Sequence, residues 1–153
     1  MEKKRPVVVI VGAGFGGLAA VRALEKEEVD LILVDQQNHH LFQPLLYQVA
    51  TAWLSPADIA APVRSVFSRQ RNLSVVLGKV LAVDAGAHSL RIDNGMHVYT
   101  QIYDYLVLAT GARHDYFGND QWEAFAPGLK NLDDAIGIRE RLLLAFEQAE
   151  MAS

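Results

Sequence analysis

The residues best suited to chemistry form a glycine-rich run near the start of the chain. Gly12, Gly14 and Gly17 fit the spacing G-x-G-x-x-G, with Phe15 and Gly16 inside it. Without a Cβ, the first glycine permits a tight turn, the second lets the backbone approach a pyrophosphate, and the third lets a helix pack close to a strand. The pattern therefore predicts a phosphate-binding turn at a helix N-terminus, where free N–H groups and the helix dipole favour an anion.

An acidic residue at a suitable distance supplies the second part of this signature. Asp35 ends a second apolar run, close to the usual distance of about 20 residues from the glycines. Its carboxylate can accept hydrogen bonds from both hydroxyls of an adenosine ribose. Gln36 and Gln37 follow, and no arginine stands beside them to neutralise a 2′-phosphate. The sequence therefore favours FAD or NAD over NADP.

The elements around these residues are those of a βαβ unit. The unbroken apolar run at 7–11 predicts a strand buried on both faces, as in a parallel sheet covered by helices. An amphipathic pattern from Gly16 to Glu27 predicts a helix, and Leu31 to Val34 predicts a second strand. A glycine-rich turn in some other α/β protein is the alternative, and the flanking strands and the acid argue against it.

The segment 39–66 is rich in apolar and aromatic residues but follows neither the strand nor the helix period. We expect an apolar loop over 39–50, followed by one or two short helices. Ser55 is a suitable N-cap for the first of them, with Asp58 capping back. The apolar loop is well placed to cover a flat aromatic ring system, although ordinary core packing explains the same residues and is favoured by the pattern alone.

Two adjacent histidines in this segment are candidates for metal binding or acid–base chemistry. His39 and His40 have no third ligand or carboxylate at a useful spacing. Hydrogen bonding within the loop is the preferred interpretation, and we expect no metal site.

The second half of the chain predicts further strands, a hairpin and a final helix. Leu73 to Val83 is typical of a strand that bends at Gly78, and Asn94-Gly95 is a strong hairpin signal. A second buried-type strand, Tyr105 to Ala109, ends in Thr110-Gly111, where a turn would again face the ligand crevice of an open α/β sheet. The last expected element is a helix from about Asp133, with an apolar stripe at Ala135, Ile138, Leu142, Ala145, Phe146 and Ala149.

Composition excludes several classes of protein. The chain has 153 residues, of which 51% are hydrophobic and 21% charged, so it is globular. Its net charge of -4 argues against nucleic-acid binding. The lack of cysteine excludes disulfides and thiolate metal sites, and it fits a reducing compartment. We expect no signal peptide and no membrane span.

Four segments give the sequence a family resemblance. They are VVVIVGAGFGGLAA, NHHLFQPLLYQVATAWLSPADIAAPVR, YDYLVLATGA and YFGNDQWEAFAPGLKNLDDAIGIR. The first and third resemble many two-dinucleotide-domain flavoproteins. The second and fourth resemble, more specifically, type II NADH:quinone oxidoreductase, the single-subunit respiratory NADH dehydrogenase that does not pump protons.

The resemblance implies an α/β, Rossmann-like FAD-binding domain with a parallel sheet, a glycine-rich βαβ unit and a β-hairpin or meander excursion. It places the pyrophosphate of FAD on Gly12 to Gly17 and the adenosine ribose on Asp35, with Gln36 as a further cofactor-binding residue. No catalytic protein residue is expected, because the flavin carries the chemistry. The remaining implied contacts are Val80 near the adenine, Ala109, Thr110 and Gly111 beside the flavin nucleotide, and Gln43, Pro44 and Leu45 near the isoalloxazine.

The resemblance also leads us to expect a fragment. Residues 1–153 would be an incomplete FAD-binding domain, with the NADH-binding domain and the C-terminal membrane-anchoring region absent. NADH and a quinone would be partners of the full-length enzyme, which would lie on the cytoplasmic face of the membrane. A homodimer is compatible with the resemblance. We expect that this chain alone does not oxidise NADH with a quinone.

Two other functions stay open from the sequence. One is another FAD-dependent enzyme on the same scaffold, such as a pyridine-nucleotide or sulfide:quinone reductase, although such enzymes use redox cysteines or other loop sequences. The other is a non-catalytic nucleotide-binding module, which would bind nucleotide without turnover.

Overall fold

A computed structural model of the protein describes residues 4–152. The chain divides into two compact units, the first containing residues up to 40 and 62–111, the second 41–61 and 112 onward. The strands are Val7–Val11 (β1), Asp30–Asp35 (β2), His39–Leu41 (β3), Ala60–Pro62 (β4), Leu73–Leu77 (β5), Lys79–Asp84 (β6), Ser89–Asp93 (β7), Val98–Ile102 (β8) and Tyr105–Leu108 (β9). The helices are Phe15–Ala23 (α1), Leu46–Ala50 (α2), Pro56–Ile59 (α3), Val63–Val66 (α4) and Leu132–Met151 (α5), with short 3-10 helices at Gln43–Leu45 and Asp120–Ala124.

The first unit is built on a four-stranded sheet in the order β5-β2-β1-β9. All three of its strand pairs are parallel, and helix α1 connects β1 to its neighbour β2. Strands β6, β7 and β8 form a separate antiparallel meander. The predicted α/β fold, with its parallel sheet, glycine-rich βαβ unit and meander excursion, is confirmed.

Strand β1 is buried because its alternating side chains enter two different cores. Val8 and Ile10 pack with α1 and α4 on one face of the parallel sheet. Val9 and Val11 pack on the other face with the meander, including Leu90, which is fully buried. A strand covered on both faces has no polar positions, which explains the unbroken apolar run in the sequence.

Gly78 separates two strands that the sequence presents as one. The residues before it join the parallel sheet and those after it join the meander. A Cβ at Gly78 would lie 2.9 Å from the Asp93 carbonyl oxygen, so the close approach of β7 requires glycine here. The predicted bend is therefore a complete change of sheet. The predicted hairpin is confirmed, and its Asn94 side chain accepts hydrogen bonds from the N–H groups of Met96 and His97.

The second unit is helical around one small core. Its buried members are Leu46, Val49 and Ala50 of α2, Ile59 of α3 and Ala135 of α5. The expected loop over 39–50 is wrong: this stretch contains β3, a 3-10 helix and α2. Each element is too short to show a period, which is why the pattern did not reveal them.

The short helix predicted after Ser55 is confirmed. The Ser55 hydroxyl accepts the Ala57 N–H, and Asp58 accepts the Ser55 N–H, which completes a capping box.

The final helix begins at Leu132, close to the predicted start, behind a capping box made by Asn131 and Asp134. Its apolar stripe is buried only at the beginning. Ala135 is buried and Ile138 packs against the same core, whereas Leu142 and Phe146 are exposed in the described structure. Among residues 4–152, no helix combines the length and the apolar character needed to cross a bilayer.

Candidate dinucleotide-binding site

The first unit brings three predicted site segments together at one end of its parallel sheet. Strands β1, β2 and β9 are in register at Val11, Val34 and Leu108. Their carboxyl ends continue into the turn 12–17, Asp35 and the segment 109–111, respectively. Ligands of open α/β sheets bind outside the carboxyl ends of the strands, so this edge is the candidate site.

Gly12 is required both for its conformation and for its neighbour. Its φ of +105° lies in the left-handed region, and its N–H donates to the Val34 carbonyl oxygen (2.8 Å). A Cβ at this position would lie 2.3 Å from the Ala109 carbonyl oxygen. The turn was predicted from the sequence, but the close approach of the 109–111 segment was not.

The other two motif glycines face opposite surroundings. A Cβ at Gly17 would lie 1.7 Å from the Gly12 carbonyl oxygen, so this glycine lets α1 pack onto its own entry turn. A Cβ at Gly14 would meet nothing within 4 Å. Among the described residues, the space over Gly14 is therefore open, and the approach of a ligand to this position stays a prediction.

The N-terminus of α1 is suited to an anion. The first helical hydrogen bond runs from the Leu18 N–H to the Gly14 carbonyl oxygen (3.0 Å), so the N–H groups of Gly14 and Gly16 precede the helical ladder. No side chain in the described part of the chain caps this end, and the first turn contains no acidic residue. The partial positive charge of the helix end is thus left available to an external anion.

Asp35 joins the end of β2 to the glycine turn. Its Oδ2 accepts the Ala13 N–H (2.5 Å) and its Oδ1 accepts the Gln37 N–H (2.7 Å). A carboxylate has about four acceptor positions, so each oxygen keeps capacity for one more hydrogen bond. Two remaining positions match the two hydroxyls of a ribose. The bond to Ala13 spans 22 residues and was not expected from the sequence.

The turn after β9 lies against the glycine turn. Ala109 donates its N–H to the Val11 carbonyl oxygen (2.8 Å), and its Cβ is the nearest neighbour of a Cβ built on Gly16, at 3.7 Å. Thr110 and Gly111 follow and are exposed at this edge. The segment 109–111 is therefore next to the glycine turn, and its predicted contact with the flavin nucleotide stays a prediction.

Val80 lies in β6, two residues beyond Gly78, whose N–H donates to the Asp35 carbonyl oxygen (2.8 Å). Its side chain packs against the meander-side core. The hydrogen bond from Gly78 thus links the end of β2, at Asp35, to the start of the strand that contains Val80. The proposed contact between this backbone and an adenine stays a prediction.

Gln43, Pro44 and Leu45 belong to the second unit. They form a 3-10 helix in which the Gln43 side-chain amide donates to the Lys130 carbonyl oxygen (2.8 Å). Leu45 packs against the core of that unit, so part of this segment is ordinary core. Their predicted contact with an isoalloxazine stays a prediction.

His40 is the neighbour of the site that sequence reasoning did not find. Its Nδ1 lies 2.9 Å from the Ala13 carbonyl oxygen, and its ring meets the Phe15 ring edge to face, with centroids 5.0 Å apart. We predicted a hydrogen bond within the loop for this histidine, but its partner lies in the glycine turn, 27 residues away. No local signal could have identified that partner.

Nε2 of His39 is buried, and no group among residues 4–152 forms a hydrogen bond with it. Within the part of the chain that the structure describes, no group of three His, Asp or Glu side chains could hold a metal ion.

Comparisons with known proteins agree with this geometry. A family profile described as pyridine nucleotide-disulphide oxidoreductase matches residues 6–146. Type II NADH:quinone oxidoreductase Ndh of Mycobacterium tuberculosis is 49% identical over 150 residues, which is 98% of this chain and 32% of that protein. NdhA of the same organism is 48% identical over 146 residues, or 95% of this chain and 31% of its own.

A solved structure is also similar in fold. NDH2 from Plasmodium falciparum, in complex with NADH, has a TM-score of 0.86 and 24% sequence identity. The match covers 96% of this chain and 30% of that one. The chain spans about a third of the length of the curated relatives it matches.

Proposed function

Because this chain belongs to the pyridine nucleotide-disulphide oxidoreductase family, we propose that it is the FAD-binding part of an enzyme that passes electrons from NADH to a quinone. The family implies a flavin cofactor, and the relatives are named for NADH and quinone. The observation that carries the proposal is the convergence of the glycine turn, Asp35 and the 109–111 segment at the carboxyl edge of the parallel sheet.

The residues of this edge fit the AMP-like half of FAD. The N–H groups at the start of α1 hold the pyrophosphate, which lies over the open space at Gly14. Asp35 accepts the two ribose hydroxyls with the acceptor positions that the backbone leaves over. The carboxylate, with no arginine beside it, disfavours a 2′-phosphate. FAD is therefore preferred to NADP, which carries a 2′-phosphate on its adenosine ribose.

The chemistry of the reaction comes from the flavin, so no acid, base or nucleophile of this chain is given a catalytic role. Contacts of Val80 with the adenine and of Gln43, Pro44 and Leu45 with the isoalloxazine are separate proposals that rest on the sequence resemblance. Membrane contact, a cytoplasmic location and a homodimer are proposals on the same ground.

The first experiment measures FAD binding by the 153-residue chain. FAD is titrated with protein, and binding is followed by the change in flavin fluorescence. Gly14→Ala places a methyl group where the pyrophosphate must lie and should weaken binding roughly tenfold or more, while thermal stability stays unchanged. Asp35→Asn removes the charged acceptor and should weaken it by about 10- to 100-fold.

Gly86→Ala is the matched control. Gly86 lies in an exposed turn of the first unit, where a Cβ would come no closer than 3.5 Å to any other atom. The Gly86→Ala variant should bind FAD with the same dissociation constant as the unaltered chain. Unaltered protein that does not bind FAD, or Gly14→Ala protein that binds it equally well, would refute the proposed cofactor site.

A second experiment tests the reaction. The chain replaces the matching third of Ndh from Mycobacterium tuberculosis, and NADH oxidation is measured with a soluble quinone. The chimaera should turn over NADH, and Asp35→Asn in the chimaera should lose activity together with bound flavin. A chimaera that retains FAD but does not reduce the quinone would favour the non-catalytic nucleotide-binding module instead.

A further inference from the structure

The peptide groups of the glycine turn are not held in place by sterics alone. Ala13 stands between Gly12 and Gly14, and glycine allows the adjoining peptide planes to rotate far more freely than other residues do. The carbonyl of Ala13 and the N–H of Gly14 belong to one planar, trans peptide group. Whatever fixes that carbonyl also fixes the direction of the Gly14 N–H.

The structure provides a partner on each side of Ala13. Its N–H donates to Asp35 Oδ2, and its carbonyl oxygen lies 2.9 Å from Nδ1 of His40. A carbonyl oxygen only accepts, so Nδ1 of His40 must carry the hydrogen, whether the ring is neutral or protonated. Ala13 is thereby held by two side chains from different parts of the sequence.

His40 is itself restrained. Its ring packs edge to face against Phe15, the first residue of α1. Two residues before it, the Asn38 carbonyl oxygen accepts the N–H of Val63, a core residue of the first unit (2.9 Å). The donor at Nδ1 is therefore presented from a segment that is anchored to the core.

We propose that His40 is a positioning residue for the phosphate-binding turn. Its Nδ1–H binds the Ala13 carbonyl oxygen, so the Gly14 N–H of the same peptide group points away from His40. This is the orientation in which the Gly14 N–H can meet a phosphate before the ligand binds. The inference rests on the proposed function, in which the pyrophosphate of FAD occupies this turn. Preorganisation of this kind lowers the entropy lost on binding.

Two substitutions at His40 separate the hydrogen bond from the packing. His40→Phe keeps an aromatic ring beside Phe15 but removes the donor. His40→Asn removes the ring but keeps an N–H donor near the position of Nδ1. The matched control is His97→Phe, which changes an exposed histidine in the turn of the hairpin.

Two measurements are made on each 15N-labelled chain: the dissociation constant for FAD, and the exchange rate of the Ala13 amide hydrogen. His40→Phe should weaken FAD binding by about 3- to 10-fold, the value of one hydrogen bond, and should speed exchange at Ala13. In His40→Asn, the affinity for FAD and the exchange rate at Ala13 should both return most of the way to the values of the unaltered chain. His97→Phe should leave both quantities unchanged. In the unaltered chain, the nitrogen spectrum of the His40 ring should show the hydrogen on Nδ1 when the ring is neutral.

The inference is overturned if His40→Phe leaves both quantities unchanged, or if His40→Asn loses as much as His40→Phe. If the unaltered chain does not bind FAD, the proposed function fails. The exchange rates and the ring nitrogen spectrum still decide whether His40 holds Ala13, so the two failures are distinguishable.

Discussion

The substitution Gly17→Ala measures how closely α1 must pack on the turn that precedes it. The added Cβ would lie 1.7 Å from the carbonyl oxygen of Gly12 and 2.9 Å from its carbon. These are backbone atoms, so no change of rotamer relieves the overlap. Helix α1 has to retreat by more than about 1 Å to restore an ordinary contact, which draws Leu18 and Val21 away from the core that they share with β1.

Two opposing effects set the expected size of the change. Forcing an extra methyl group into a packed interior typically costs about 1–3 kcal/mol. Alanine is favoured over glycine within a helix by roughly 0.5–1 kcal/mol. The packing effect should win because the clash is with backbone, and we expect a net loss of roughly 1–2 kcal/mol in the free energy of unfolding of the first unit.

The assay must report the first unit. Both tryptophans, Trp53 and Trp122, belong to the second unit, so their fluorescence is a poor probe. Hydrogen exchange at the amides of β1, measured under native conditions, gives the opening free energy of the parallel sheet directly. Urea unfolding followed by circular dichroism gives an independent value, in which the midpoint should fall without a change in slope.

Gly16→Ala is the control because it adds the same methyl group one residue earlier in the same helix. There the Cβ would meet the Ala109 Cβ at 3.7 Å, an ordinary contact. Its stability should equal or slightly exceed that of the unaltered chain. If the Gly17 and Gly16 variants were equally stable, the argument that Gly17 is required for close packing would be refuted.

Three further predictions concern stability, each checked by urea unfolding. Partial burial opposes ionisation of Asp134, but hydrogen bonds from the backbone N–H groups of Lys130 and Asn131 and from the side chains of His114 and Asn131 outweigh it and lower its pKa. The ionised group thus stabilises the fold above about pH 4 and loses this effect as the pH falls through the lowered pKa. Asp134→Asn should therefore cost about 1 kcal/mol at pH 7 and progressively less below pH 4, and a constant difference across that range would contradict the reasoning. Leu90→Ala should cost about 2–5 kcal/mol, because Leu90 is fully buried, whereas its exposed neighbour Arg91→Ala should cost almost nothing. Gly128→Ala should cost at most about 1 kcal/mol, because the new Cβ would overlap the partly exposed His114 ring, which can turn away at the loss of its contact with Asp134; retention of the 3.4 Å contact in the variant would contradict this account.

Local rules in the sequence were sufficient for several elements. The G-x-G-x-x-G turn, the hairpin at Asn94-Gly95 and the cap at Ser55 each depend on residues within a few positions of one another. Their backbone conformations are restricted by chemistry that is present in the segment itself. The strand β1 was equally clear, because a strand covered on both faces must be apolar throughout.

Elements without a local period were not predictable in the same way. The stretch 39–50 holds a three-residue strand, a 3-10 helix and a five-residue helix, none long enough to repeat a pattern. The apolar residues of β9 and of the later turns of α5 indicated burial, yet Tyr105, Leu108 and Phe146 are exposed in the described structure. Periodicity shows which face of an element is apolar, but it does not show what packs against that face.

The sequence by itself determined that this chain has a dinucleotide-type turn followed by an acidic residue, because the glycines and the acid are restricted by local sterics and by charge. Only the tertiary structure decided how the turn is held. Asp35 and His40 bind Ala13, which precedes them by 22 and 27 residues in the sequence. Gly12 packs against Ala109, which lies near the other end of the first unit in the sequence. Such contacts depend on the path of the chain through the parallel sheet, which brings the carboxyl ends of separate strands to one edge and is not encoded in any short segment.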